Sequence, residues 1–169
     1  FQFIAHLRVR GVETVILVMT AGAAPNEVRK SFEGNGLVHG VLSKSEIVNL
    51  NVGRTIRVGS KDALLCYNWT TAILTSRIAA FLDKPGYSYF VQEDERIFYP
   101  NDSYRFLAES LFYREPSPHL ICNSQILLEH FKRERLVGPT TQAAVFEQGI
   151  PEMPRPTAGE LSGRRTRRM

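Results

Sequence analysis

Cysteine is scarce in this chain: Cys66 and Cys122 are the only two. Both stand in apolar settings, Leu-Leu-Cys-Tyr and Leu-Ile-Cys-Asn, which fit buried free thiols at strand ends better than a bridge. A disulfide-stapled scaffold is therefore not expected, and a reducing, cytoplasmic compartment is. No apolar run approaches the ~20 residues that span a bilayer. The opening Phe-Gln-Phe-Ile-Ala-His-Leu-Arg lacks both an initiator methionine and the form of a signal peptide, which predicts a chain that begins inside a longer gene product.

Net positive charge is small outside one segment. From Pro151 to Met169 five arginines (Arg155, Arg164, Arg165, Arg167 and Arg168) face two acids (Glu152 and Glu160), which places +3 of the net +4 there. The sequence pI of 9.3 thus reports a short Pro- and Arg-rich stretch that reads as a linker. A nucleic-acid footprint across the body is not supported. The signatures of other chemistries are missing as well. There is no His/Cys/Asp spacing for zinc, no phosphate-binding Gly-x-x-x-x-Gly-Lys-Ser/Thr loop and no Gly-x-Ser-x-Gly elbow. His6 and His39 stand without an identified partner. Neither a metal nor a tightly held cofactor is expected.

What is present is an ordinary globular composition, 43% apolar and 22% charged over 169 residues, enough for one domain with a full core. Phe3, Ile4 and Leu7 recur at helical spacing and Gly11 reads as the stop. The run Val15 to Met19 then reads as a buried strand. Between Ala21 and Arg57 glycines and asparagines punctuate short apolar pieces such as Leu37-Val-His-Gly-Val-Leu42, read as short strands. Beyond that the pattern sharpens. It predicts strands at Asp62 to Cys66, Tyr87 to Gln92, His119 to Cys122 and Ala143 to Phe146, and helices at Trp69 to Phe81, Ser103 to Tyr113 and Ser124 to Arg135. Ser124 caps the last helix, and Lys132, Arg133 and Arg135 suit its C-terminal dipole. Such alternation implies an α/β fold: a Rossmann-like, three-layer, doubly wound and mostly parallel sheet with right-handed crossovers, its first strand missing ahead of Phe1.

Ligands in open α/β sheets sit outside the carboxyl ends of the strands. Three loops there offer polar groups: Asn68 and Trp69; Gln92, Glu93, Asp94 and Glu95, followed by Tyr99; and Asn123 and Ser124. Together they suggest a cleft. Acids after a strand also commonly cap the next helix and face water, and a Trp at a helix start is often core.

The run Tyr89-Phe-Val-Gln-Glu-Asp-Glu-Arg-Ile-Phe-Tyr-Pro100 resembles the Tyr-Phe-Val-Gln-Asp-x-Glu-Pro-x-Phe-Tyr-Pro segment of bacterial polysaccharide rhamnosyltransferases of the WsaF kind. Asn68-Trp-Thr-Thr-Ala72 is similar to that family's Ser-Trp-x-Thr-Ala, and Leu120 to Glu129 to the late strand and capped helix of many GT-B N-terminal domains. Phe146 to Ile150 resembles the crossing into a second domain. The likeness implies a GT-B enzyme that moves a sugar from a nucleotide-sugar donor such as dTDP-rhamnose to a growing cell-surface polysaccharide, with no metal. Residues 1–150 would form the acceptor-side domain and 151–169 a linker toward a donor-binding domain absent from the chain, so the chain alone would not catalyse transfer. Partners implied are a glycan acceptor, the nucleotide sugar through that second domain, the membrane surface as a peripheral contact, and a second copy through exposed apolar surface. Glu93 and Glu95 are the candidates for the catalytic role, with Asp94 beside them. Two departures stand out: Arg96 occupies a position where the family tends to have proline, which is expected to loosen the loop, and Glu93 replaces aspartate, moving a carboxylate by about one methylene. Two other readings stay open, a non-catalytic glycan- or partner-binding module and a different nucleotide-sugar enzyme on the same sheet.

Overall fold

The computed structural model describes residues 2–12, 15–19, 22, 24–49 and 55–146. Residues 151–169, expected from the sequence to be a linker, and 147–150 before them lie outside the described residues. The chain divides into two compact units, Phe1–Ala63 and Leu64–Met169, and both have α/β architecture with parallel strands.

The first unit opens with helix α1 (Gln2–Val9), which stops where Gly11 adopts φ 92° and the Val12 amide reaches back to the Leu7 carbonyl. Positive φ suits glycine because it has no Cβ. Strand β1 (Ile16–Met19) pairs in parallel with β2 (Glu46–Asn49), Ile16 opposite Glu46 and Met19 opposite Asn49. Between them run α2 (Pro25–Ser31) and α3 (Gly36–Ser43). The expected strand at Leu37 to Leu42 is thus a helix. Asn35 caps it, its Oδ1 accepting the Val38 amide at 3.2 Å, and Val38, Val41 and Leu42 fall on one buried stripe. Val38, Leu42 and Ile47 form the core, with Leu17, Val28 and Phe32 packed against it. The run at β1 is not wholly buried either: Ile16 and Val18 are each 40% exposed within this small sheet.

The second unit holds a four-stranded sheet of β3 (Leu65–Cys66), β4 (Tyr87–Val91), β5 (Pro118–Cys122) and β6 (Ala143–Val145), all parallel and ordered as they occur in the chain. The connections carry α4 (Trp69–Phe81), α5 (Ser103–Ser110) with a following 3₁₀ turn (Leu111–Tyr113), and α6 (Gln125–Arg133). Right-handed crossovers between strands laid down in sequence carry each helix to the same face. The burial agrees with that, since Tyr87, Tyr89, Val91, Leu120 and Cys122 are buried while Ser88, Phe90, His119 and Ile121 on the opposite face are half-buried. Leu111, Phe131, Leu120, Val91 and Cys122 lie at the centre of the core, each large apolar side chain contributing about 1.5–3 kcal/mol by its burial. Cys66 and Cys122 are buried free thiols, as their apolar settings predict. Burial pushes the Cys66 thiol up to about 12 and the Cys122 thiol up to about 11. No described helix is long and apolar enough to cross a membrane.

Candidate functional site

The carboxyl ends of β3, β4 and β5 carry the three polar loops. At the first, Asn68 caps α4: its Oδ1 accepts the Thr71 amide at 2.8 Å together with the Thr70 and Thr71 hydroxyls at 2.9 and 2.8 Å. A cap residue with extended backbone must satisfy the first free amides of a helix, and asparagine does so at short reach. Trp69 follows and is buried. Its indole N–H donates to the Tyr99 hydroxyl at 2.9 Å, and the two rings meet edge to face with centroids 5.7 Å apart.

The main-chain amide of Trp69 donates to Glu95 Oε2 at 2.6 Å, and the Tyr89 hydroxyl donates to the same oxygen at 2.5 Å. Glu95 is half-buried, and burial pushes its carboxyl above the ordinary range near 4.5. The hydrogen bonds from Tyr89 and Trp69 pull the other way, and the nearby charge of Glu93 adds to the rise. Tyr89 is pushed up by burial and by its bond to this carboxylate. Glu95 therefore sits on the N-terminus of α4, where a negative charge meets free amides.

Asp94 turns the other way. Its carboxylate is buried and accepts Arg96 Nε at 2.9 Å, Arg96 Nη2 at 2.8 Å and His130 Nε2 at 2.9 Å. Burial alone would raise it, but the hydrogen bonds from Arg96 and His130 outweigh that and hold it down at about 2. Arg96 also reaches Glu109 at 3.3 Å and Glu134 at 3.7 Å. Arg133 Nη2 lies 3.4 Å from His130 Nδ1, an arrangement satisfied by a neutral ring that carries its proton on Nε2. The expectation that Arg96 loosens the loop is corrected here: it is buried and pins a 3₁₀ turn (Glu95–Phe98) to α5 and α6. A proline lacks the amide and the guanidinium that make those bonds.

Of the expected site residues, then, Asn68, Trp69, Glu95 and Tyr99 are brought together. Gln92 and Asn123 form a separate pair, the Asn123 carboxamide donating to the Gln92 carbonyl at 2.6 Å. Ser124 caps α6 through the Leu127 amide at 3.2 Å. Glu93 is exposed and has no side-chain partner among the described residues. Asp94 belongs to an internal ion network rather than to an open face. The sequence reading missed His130, whose last-turn position on a basic helix end gave no hint of a partner 36 residues away, and Tyr104, whose ring lies 6.0 Å from Trp69 and 5.7 Å from Tyr99. Aromatic spacing around Tyr99 was the one signal for Tyr104. Among the described residues no group of three or more His, Cys, Asp or Glu is placed to hold a metal ion.

Chemically, the arrangement presents a fixed carboxylate beside aromatic rings at a sheet's carboxyl edge, suited to orienting a hydroxyl group. No protein-family model matches this chain, and no curated protein matches it at a significant level.

Proposed function

We propose that this chain forms the acceptor-side domain of a GT-B glycosyltransferase, a rhamnosyltransferase that transfers sugar from a nucleotide donor such as dTDP-rhamnose, held by a second domain, to a growing cell-surface glycan. The single observation that carries the reading is Glu95: one carboxylate oxygen is tied to the Trp69 amide and the Tyr89 hydroxyl, beside Asn68 and the Trp69–Tyr99 pair. It lies within the segment whose residues resemble the rhamnosyltransferases. Glycosyl transfer passes through an oxocarbenium-like state, and a fixed carboxylate that orients the acceptor hydroxyl or stabilises that charge contributes to the rate.

The test is Glu95→Gln and Glu93→Gln in a protein that carries this chain together with its donor-binding domain, assayed for transfer from dTDP-rhamnose. Glu95→Gln is expected to lower kcat by about a hundredfold, while the exposed Glu93→Gln stays within about twofold. Because burial raises the Glu95 carboxyl above its ordinary value near 4.5, the wild-type rate should rise with pH through a point above that value. Unchanged rates in Glu95→Gln refute the assignment. One observation favours a non-catalytic glycan-binding module as a second reading: Asp94 is consumed by its internal partners and Glu95 is half engaged. Glycan binding without turnover by the two-domain protein would select it.

A further inference from the structure

Resting on the acceptor-side reading, a finer division of labour follows from which atoms around Trp69 are already used. The Asn68 Oδ1 takes three donors from its own helix cap, whereas its Nδ2 donors have no partner among the described residues. Glu95 Oε2 takes both the Trp69 amide and the Tyr89 hydroxyl, whereas Oε1 has none there. Tyr104, set by the Asp102 cap on the first turn of α5, is 54% exposed. Its ring is nevertheless fixed on one side by Trp69 at 6.0 Å and Tyr99 at 5.7 Å. Among the described residues of this unit, the other exposed aromatic rings, such as Phe81, Phe106 and Tyr113, pack on no second ring.

We propose that Tyr104 is the stacking platform for an acceptor sugar ring, with Asn68 Nδ2 and Glu95 Oε1 serving the hydroxyls at that ring's edge. A pyranose has an apolar face of C–H groups and a rim of hydroxyls that both donate and accept. A site for it needs an aromatic surface with at least one open donor and one open acceptor close by. The three groups meet that need and converge on one residue: Asn68 precedes Trp69, Glu95 bonds its amide, and Tyr104 packs on its indole. Holding the ring in advance removes the rotamer entropy that an unsupported surface tyrosine would lose on stacking.

Trp69 is the only tryptophan in the chain, so its fluorescence reports this location alone. The experiment titrates the chain with methyl α-L-rhamnopyranoside, following Trp69 emission and the glycoside's proton NMR signals, for wild type, Tyr104→Phe and Tyr104→Leu. Stacking predicts saturable binding, upfield-shifted sugar C–H protons, affinity kept within about twofold by phenylalanine and weakened about tenfold or more by leucine. Equal affinity in Tyr104→Leu, or binding without the upfield shift, overturns the platform and leaves the acceptor-side reading standing. No binding of the glycoside by wild type overturns both. Should the leucine variant fail to fold, the ring-current shift in wild type decides the question by its presence or absence.

Discussion

Replacing Arg96 by methionine keeps the stem of the side chain and removes the guanidinium from Asp94, Glu109 and Glu134. Removing one partner of a buried ion pair generally costs about 3–5 kcal/mol, because the other charge is left in a poor medium. Here Asp94 keeps His130 at 2.9 Å and the main-chain amide of position 96 at 3.2 Å. Glu109 and Glu134 have side chains 35% and 45% exposed and regain water. The lower end applies, about 3 kcal/mol, a large share of the 5–15 kcal/mol that holds a domain together. The loss should also depend on pH in a defined sense. In the wild type the Asp94 carboxyl is held at about 2 against an ordinary 3.8. Its stabilising contribution is therefore present above pH 3.8 and disappears as pH falls toward 2. The gap between wild type and Arg96→Met should be widest near neutrality and narrow through that window. Urea unfolding followed by Trp69 fluorescence at several pH values measures it. A gap under about 1 kcal/mol at neutral pH, or one that is the same at both ends of the range, would refute a pairing role for Arg96. In the double variant Asp94→Asn/Arg96→Met the two losses should be less than additive.

Two further outcomes follow from the same fold. With the thiols pushed up to about 12 at Cys66 and about 11 at Cys122 by burial, a disulfide reagent at about pH 8 should label neither in the folded chain and both at once in denaturant, since the thiolate is the nucleophile; rapid labelling under native conditions contradicts the burial. Just beyond α6 and its C-cap Glu134, Arg135 adopts φ 59°, a left-handed conformation that disfavours a side chain. Arg135→Gly should therefore leave stability unchanged or raise it by up to about 1 kcal/mol in thermal melts, and a clear loss would show that the Arg135 side chain itself stabilises the turn.

The elements that sequence made legible are those whose determinants are local. Trp69 to Phe81 is a helix because Asn68 caps it and because an uninterrupted run of helix-compatible residues follows. Ser124 likewise announces α6 by its own hydroxyl. The short run Leu37 to Leu42 defeated pattern reading because six mostly apolar residues suit a strand or a helix equally. The deciding group, Asn35, lies just outside the run. The loop's roles were less legible still. Gln92 to Glu95 reads as one acidic patch, yet adjacent carboxylates face opposite fates: Asp94 goes inward to His130 on α6, Glu95 to the amide of Trp69 on α4. Those partners lie 36 and 26 residues away, and only the tertiary packing chooses between them.

The position of Glu95 has a consequence for what this edge of the sheet admits. A helix N-terminus at a strand's carboxyl end is the place where α/β proteins commonly receive a phosphate. In this chain the first amide of α4 is already occupied by the protein's own carboxylate. An incoming phosphate would meet like charge at contact distance and would have to displace Glu95 from both Trp69 and Tyr89 before it gained a hydrogen bond. The built-in anion thus already occupies the place that a phosphate would take on the first amide of α4.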